Sequence, residues 1–150
     1  MQITIFIVKD VNGMKKRKTR RPSSNRQGTR IEKHGKIFKS KLEVYCYERL
    51  KEEGIDAPYE EVTFEILPEI QFEYNDKKTK RVLSLSYTPD FVGKDFIIEC
   101  KGYADKRFPV VWKLFKHYLK DNNLKYQLYK PMGKKDVDEM IKKIKNESDK

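Results

Sequence analysis

Apolar residues along this chain come in short blocks whose period changes from block to block. Residues 2–8, Gln-Ile-Thr-Ile-Phe-Ile-Val, are β-branched and aromatic and predict a strand, closed by a turn at Asn12-Gly13. The block has no charged n-region and no small-residue cleavage site, so a signal peptide is not expected. Residues 38–53 predict a helix, with Leu42, Cys46 and Leu50 on one face and Tyr45 close by. Ser40 is placed to cap that helix, Glu43 holds the capping-box position, and Gly54 suits its end. Glu43 and Tyr47 fall on another face.

Strands follow. Residues 62–67 predict one, interrupted by Pro68; Ile70, Phe72 and Tyr74 alternate, as do Leu83, Leu85 and Tyr87, with a polar turn over 75–80 between them. Residues 96–101 (Phe-Ile-Ile-Glu-Cys-Lys) predict another strand, reached through a hairpin turn at Gly93-Lys94. Pro109 suits the first position of a helix, and Val111, Leu114, Phe115 and Tyr118 continue at helical spacing. Residues 124–129 alternate again, and Val137, Met140, Ile141 and Ile144 predict a last amphipathic helix with a charged tail. The order is helix, three strands, helix, strand, helix: a mixed α/β domain without internal repeats.

Composition adds limits. A length of 150 residues suits one domain. With 37% hydrophobic and 38% charged residues the chain is polar, yet nine Tyr, eight Phe and one Trp suffice for a modest core. No apolar run approaches the ~20 residues of a membrane span, so no membrane partner is expected. Two cysteines make neither a disulfide framework nor a four-ligand zinc site, which suits a reducing, cytoplasmic setting.

The net charge of +11 is uneven: residues 1–40 carry twelve Lys/Arg against two acids, whereas residues 41–150 carry twenty-two against twenty-one. The chain therefore divides into an N-terminal strand and basic arm, residues 1–35, and a near-neutral domain, residues 36–150. Within the arm, Lys15, Lys16, Arg17, Lys18, Arg20, Arg21, Arg26 and Arg30 are candidate nucleic-acid contacts that gain affinity by releasing counterions. A solvated tail and a nuclear-localisation signal are the competing readings.

The chemistry-bearing stretch is Tyr87-Thr-Pro-Asp-Phe91 followed by Ile98-Glu-Cys-Lys-Gly102. On a strand, Glu99 and Lys101 project to one side and Ile98 and Cys100 to the other. A Gly93-Lys94 loop pairs Val92 with Asp95 and Asp90 with Ile97, setting Asp90 on the Glu99 face, diagonal to it at ~7–8 Å. On this reading, a turn shifted by one residue undoes the arrangement. Two carboxylates on one face repel unless a cation lies between them, and hard oxygen ligands suit Mg²⁺ or Mn²⁺. A lysine beside such an ion can orient water or stabilise charge on a phosphate. The competing reading of Glu-x-Lys on a strand is a solvated cross-strand pair.

These residues carry a resemblance. Pro89-Asp90 with Glu99-Cys100-Lys101 resembles the PD-(D/E)XK nuclease superfamily, and the element order is similar to its restriction-endonuclease-like αβββαβ core, a central mixed sheet flanked by helices. Within it, Phe38-Lys-Ser-Lys-Leu-Glu43, Glu52-Glu-Gly-Ile55, Tyr59-Glu-Glu61, Tyr87-Thr-Pro-Asp-Phe91 and Glu99-Cys-Lys-Gly102 resemble the phage endonuclease I family of Holliday-junction resolvases. Ile66-Leu-Pro-Glu-Ile70, the Asp90 hairpin and Lys101-Gly102 resemble small phage nuclease-like proteins. The resemblance covers about residues 36–120. It implies Asp90 and Glu99 as ligands of Mg²⁺ or Mn²⁺, with the Cys100 carbonyl completing the shell. It implies Lys101 as the catalytic lysine and Glu43 as a further acid of the site, beside its capping-box reading. It also implies a homodimer acting on branched DNA. One departure is Pro58, which stands where endonuclease I proteins have another glutamate; Glu60 and Glu61 are near but unmatched.

The expectation is a metal-dependent DNA endonuclease selective for branched DNA. The alternatives are a nuclease acting on linear DNA, similar to transposase nuclease subunits, a non-catalytic nucleic-acid-binding protein, or RNA as target. Lys106 and Arg107 are further candidate phosphate contacts or an exposed helix entry. His34 and His117 are candidate bases but more often surface or packing groups. Trp112 and the tyrosines suit core packing ahead of base stacking, and Cys46 and Cys100 suit reduced, buried packing positions.

Overall fold

A computed structural model describes residues 30–75, 77–101 and 106–148. The expected strand at 2–8, its turn, and the arm residues Lys15, Lys16, Arg17, Lys18, Arg20, Arg21 and Arg26 lie outside the described residues. Arg30 is exposed at the head of the first strand.

That strand, β1 (Ile31–Lys33), pairs antiparallel with β2 (Lys36–Phe38). The turn between them is His34-Gly35, both with positive φ (54° and 69°), the geometry of a two-residue type I′ hairpin. The pattern reading left this hairpin unassigned, and the expected boundary between residues 35 and 36 falls inside it, since Lys33 pairs with Lys36. His34 is a turn residue whose Nε2 bonds Glu48 Oε1 at 2.9 Å.

Helix α1 (Lys41–Glu52) starts as its sequence dictates. Ser40 Oγ accepts the Glu43 N–H at 3.2 Å. The helix closes with N–H groups of Gly54 and Ile55 bonded to the carbonyls of Lys51 and Leu50, a Schellman pair. Helix α3 (Lys134–Ser148) buries Val137, Met140, Ile141 and Ile144 in one cluster with Val44, Cys46 and Leu50 of α1. Polar links join the same two helices: Tyr45 and Arg49 reach Asp138 at 3.0 and 3.1 Å.

Between the helices runs a long ribbon. Strand β3 (Phe64–Leu67) pairs with β6 (Leu85–Tyr87), and β4 (Ile70–Glu73) with β5 (Thr79–Val82), all antiparallel. Pro68, which cannot donate to a ladder, separates β3 from β4. The expected strand through Leu83, Leu85 and Tyr87 begins only at Leu85, with Leu83 in the gap between β5 and β6, and the expected turn over 75–80 is shorter, because Thr79 and Lys80 already pair with Glu73 and Phe72. Strands β4 and β5 are exposed at every position, so no alternation marks their ends.

The central sheet is three-stranded and mixed: β7 (Phe91–Val92) antiparallel to β8 (Phe96–Ile98), and β8 parallel to β9 (Gln127–Tyr129). Helix α2 (Phe108–Asp121) supplies the crossover that a parallel pair needs. Successive strand residues face opposite ways, and the two cores record it. Phe91, Phe96 and Ile98 join the α1–α3 cluster; Val92 and Ile97 join Phe108, Trp112, Phe115 and Leu119 of α2. The buried row of α2 is thus set around from the expected Val111, Leu114 and Tyr118, which flank it, while Trp112 packs in the core. The architecture is mixed α/β, with helices on both faces of a small mixed sheet. The mixed α/β class is as expected, whereas the strands do not all join one sheet: β3–β6 and β4–β5 stand as separate antiparallel pairs beside β7–β8–β9, divided at Pro68 and between Tyr87 and Phe91. Among the described residues, no helix is long and apolar enough to cross a membrane.

Candidate active site

The site forms where β6, β7 and β8 converge. The hairpin register pairs Phe91 with Ile98 and Val92 with Ile97, and the Gly93 N–H bonds the Phe96 carbonyl at 2.9 Å. The two-residue loop is therefore Lys94-Asp95, not Gly93-Lys94. Carried one step on, this register sets Asp90 directly opposite Glu99, not opposite Ile97 and diagonal to Glu99. Moving a two-residue loop by one position slides the pairing by two, so each side chain keeps its face. The expectation that such a shift would undo the site is corrected on that ground.

Beyond β8 the backbone stays extended alongside the next segment. The N–H groups of Glu99 and Lys101 donate to the carbonyls of Tyr129 and Pro131 at 3.0 and 2.9 Å. That alternation keeps Glu99 and Lys101 on one side, where Lys101 Nζ lies 3.1 Å from Glu99 Oε1. The other Glu99 oxygen, Oε2, accepts the Tyr87 hydroxyl at 2.5 Å. Asp90 Oδ2 accepts the Cys100 backbone N–H at 2.7 Å. Lys101 Nζ also sits 3.9 Å from the Phe108 ring centroid, a cation–π contact that steadies the ammonium.

Both carboxylates are buried, Asp90 at 7% and Glu99 at 6% exposure. Burial, then the charges of Glu99 and Glu43, push Asp90 up to about 8, against the pull of its Cys100 hydrogen bond. Burial and the same Glu99 charge hold the Tyr87 phenol far above its ordinary range, so it remains a donor.

Glu43 joins from α1 and is itself buried. Its two readings meet in one side chain. Oε1 accepts the Ser40 hydroxyl at 2.8 Å; Oε2 accepts the Lys39 N–H at 2.8 Å and the Tyr59 hydroxyl at 2.6 Å. It closes the capping exchange one residue earlier than the usual cap N–H, and its charge also bears on Asp90. Lys39 bonds Glu60 through its ammonium. Burial pulls Lys39 down, but Glu60, Asp90 and Glu43 together hold it above the usual lysine range. The Glu60 N–H in turn donates to the Asp90 carbonyl at 2.9 Å.

Of the expected residues, Asp90, Glu99, Lys101 and Glu43 come together. Cys100 contributes its backbone; its side chain is buried beside Cys46, both thiols free, and its thiol is pushed up by the hydrogen bond with Cys46 and by burial. Lys106 and Arg107 are exposed at the entry to α2, and His117 is exposed on that helix. Pattern reading missed Tyr87, Tyr59 and Lys39 as members of the site. Their signal is the short spacing Tyr-x-Pro-Asp, and a lysine four residues before Glu43.

Two buried acids facing each other suit a hard divalent cation. The burial of both acids together is the observation that tests the fit: each charge opposes ionisation of the other out of water, and a divalent cation would offset both. Asp90 and Glu99 would hold the ion, with the Cys100 carbonyl as the expected third oxygen. Among the described residues no three His, Cys, Asp or Glu side chains gather into a ligand set, so the side-chain donors are these two.

The chain belongs to a family of proteins of unknown function, DUF1064, whose model matches residues 23–135. The match contains every residue of the site. No curated protein and no solved structure matches the chain.

Proposed function

We propose that this protein is a metal-dependent DNA endonuclease of the PD-(D/E)XK type with a restriction-endonuclease-like core. The observation that carries the reading is the meeting of Asp90, Glu99 and Lys101 at one end of the central sheet, the two acids buried face to face and the lysine 3.1 Å from Glu99. Mg²⁺ or Mn²⁺ is the cofactor, supplying at a bound phosphate the charge and the acidified water that hydrolysis needs. The chain supplies the rest. Tyr87 keeps its proton and ties down Glu99 Oε2, leaving Oε1 to Lys101. Lys101, held by Glu99 and Phe108, presents an ammonium to charge that develops on a phosphate oxygen. Glu43 and Lys39 bracket Asp90 with opposite charges.

DNA with branches is the proposed substrate. The basic arm, which includes Lys15 to Arg21, holds duplex limbs through their phosphates, so selection rests on shape. A homodimer fits this role, since paired nicks across a junction need two sites. The setting is the cytoplasm.

The test incubates the protein with a four-way junction, a matched linear duplex and a single strand, in Mg²⁺ or EDTA, beside Asp90→Ala. Metal-dependent cutting of the junction, absent from the variant, is the expected result. Cutting of linear duplex with equal efficiency overturns the branched preference. Binding without cutting in Mg²⁺ and Mn²⁺ overturns the enzyme and leaves a nucleic-acid-binding protein.

A further inference from the structure

Next to Lys101 the surface opens into a groove of about 300 Å³. Its walls include Lys101, Phe108, Trp112, Lys113, Lys116 and Lys130, and none of the described residues that line it is acidic. Three separate segments build it. On α2, Lys113 and Lys116 follow Pro109 at helical spacing, so one face of the helix carries both. Lys101 follows β8 and Lys130 follows β9, and the parallel register of those strands, carried on, sets Lys130 level with Glu99 and Lys101 two residues further along, so that both border the cleft. The floor is aromatic: Phe108 and Trp112 stack at 5.5 Å and 24°, with Lys101 over the first ring and Lys116 5.7 Å from the centroid of the second.

Four ammonium groups border one cleft and repel one another; Glu99 pairs with Lys101, but for Lys113, Lys116 and Lys130 no described residue lining the cleft offers a carboxylate to offset them. A polyanion is the ligand that does. The cleft also has an apolar wall, which inorganic anions do not use but a nucleotide does. Its volume lies at the small end of ligand sites, room for a nucleotide unit and not for a stacked duplex.

We propose that this groove holds one unpaired strand next to the scissile phosphate. Phosphates sit on Lys113, Lys116 and Lys130, and a sugar or base rests against the Phe108–Trp112 wall. The assignment rests on the nuclease reading for its meaning and sharpens it: the strands of the substrate part beside the cut, as they do at branches and frayed ends.

Trp112 is the single tryptophan of the chain and lines this groove, so its emission is a probe of the groove, and the lysine variants separate a groove response from one transmitted through Tyr87. The experiment titrates the full-length protein in EDTA with a short oligothymidylate and, separately, with a blunt duplex of equal length. A saturable change in Trp112 emission with the single strand, and a much weaker one with the duplex, is the expected result. In Lys113→Gln/Lys116→Gln, the dependence of log affinity on log salt becomes shallower by about 1.4, at about 0.7 for each lost phosphate contact. Lys113→Arg/Lys116→Arg restores the slope and shows that charge, not packing, is read. An unchanged slope in the Gln variant, or equal response to duplex, overturns the proposal. The two readings separate cleanly. Cutting in Mg²⁺ with no lysine-dependent Trp112 response sinks the groove alone. A lysine-dependent response in a protein that cuts nothing in Mg²⁺ or Mn²⁺ sinks the nuclease and leaves the groove a strand-binding site.

Discussion

Asp90 faces Glu99 across the β7–β8 hairpin, one step beyond the Phe91–Ile98 pair, and both carboxylates are almost fully withdrawn from water. Most of what the site can do follows from that opposition.

The first consequence is a pH dependence. Asp90 is raised from 3.8 to about 8, so the folded protein binds its proton more tightly than the unfolded chain does. The associated stability is fully present below about pH 4 and is lost as pH rises towards 8. Other groups also titrate across this range, so the comparison with Asp90→Asn isolates the effect. Thermal melts in EDTA are expected to show the wild type losing Tm relative to that variant between these limits. Addition of Mg²⁺ or Mn²⁺ should reverse the loss, with a gain in Tm that grows up to about pH 8. A metal-induced gain that is the same at pH 5 and pH 8 contradicts the assignment.

Replacing Asp90 separates stability from function. Asp90→Asn removes the charge and keeps an oxygen to accept the Cys100 N–H. In metal-free buffer at pH 8 it should melt higher than the wild type, while the rise in Tm on adding Mg²⁺ and all cleavage disappear. A variant that melts lower and still cuts would place the chemistry elsewhere.

On the proposed reading, Lys101 acts on the reacting charge and not on folding. Lys101→Ala should slow cleavage by about 10²-fold or more, the range for a positioned acid–base or electrostatic group, with junction binding kept. Single-turnover cleavage beside a gel-shift assay measures both, and unimpaired cleavage removes the lysine from the mechanism.

Glu43 serves the helix start and the site together, and two substitutions pull those roles apart. Ser40→Ala deletes the cap hydroxyl that accepts the Glu43 N–H, and should cost about 1 kcal/mol with cleavage kept in folded protein. Glu43→Gln retains an oxygen for the Lys39 and Tyr59 donors but removes a charge beside Asp90. Its melting temperature in EDTA should change little or rise, whereas cleavage falls. Full activity in Glu43→Gln would leave the residue a cap alone.

The arm is expected to contribute affinity and little selectivity. Deleting residues 1–30 should weaken junction binding and flatten its salt dependence, because eight of the candidate phosphate contacts go with it. A slope unchanged by the deletion would show that the arm does not touch phosphate.

The sequence made the site visible because its elements are short and strongly marked. Ser40 and Glu43 announce a helix start, and Pro89-Asp90 precedes a run too apolar to be anything but a buried strand. Register was harder: turn chemistry favours Gly93-Lys94, yet the loop falls on Lys94-Asp95, neither with positive φ, with Gly93 facing the Phe96 ring. Because the two choices differ by an even slide, the shared face of Asp90 and Glu99 was legible even though their opposition was not. The exposed ribbon of β4 and β5 left no periodicity to read at its ends. On α2, Phe108 and Trp112 reach the core ahead of Val111 and Leu114 because large rings from β3 and β6, Phe64 and Tyr87, pack on that side. The lysine groove joins residues 101, 113, 116 and 130 through tertiary structure, which no local pattern encodes.

Gly93 shows what holds the two acids at their spacing. A β-carbon there would lie 2.2 Å from the Phe96 ring, which fills the inside of the turn. An alanine must therefore displace the ring or open the hairpin, and an opened hairpin parts the acids at its far end. A position with no functional group thus acts as the hinge pin that sets the spacing of the two buried acids.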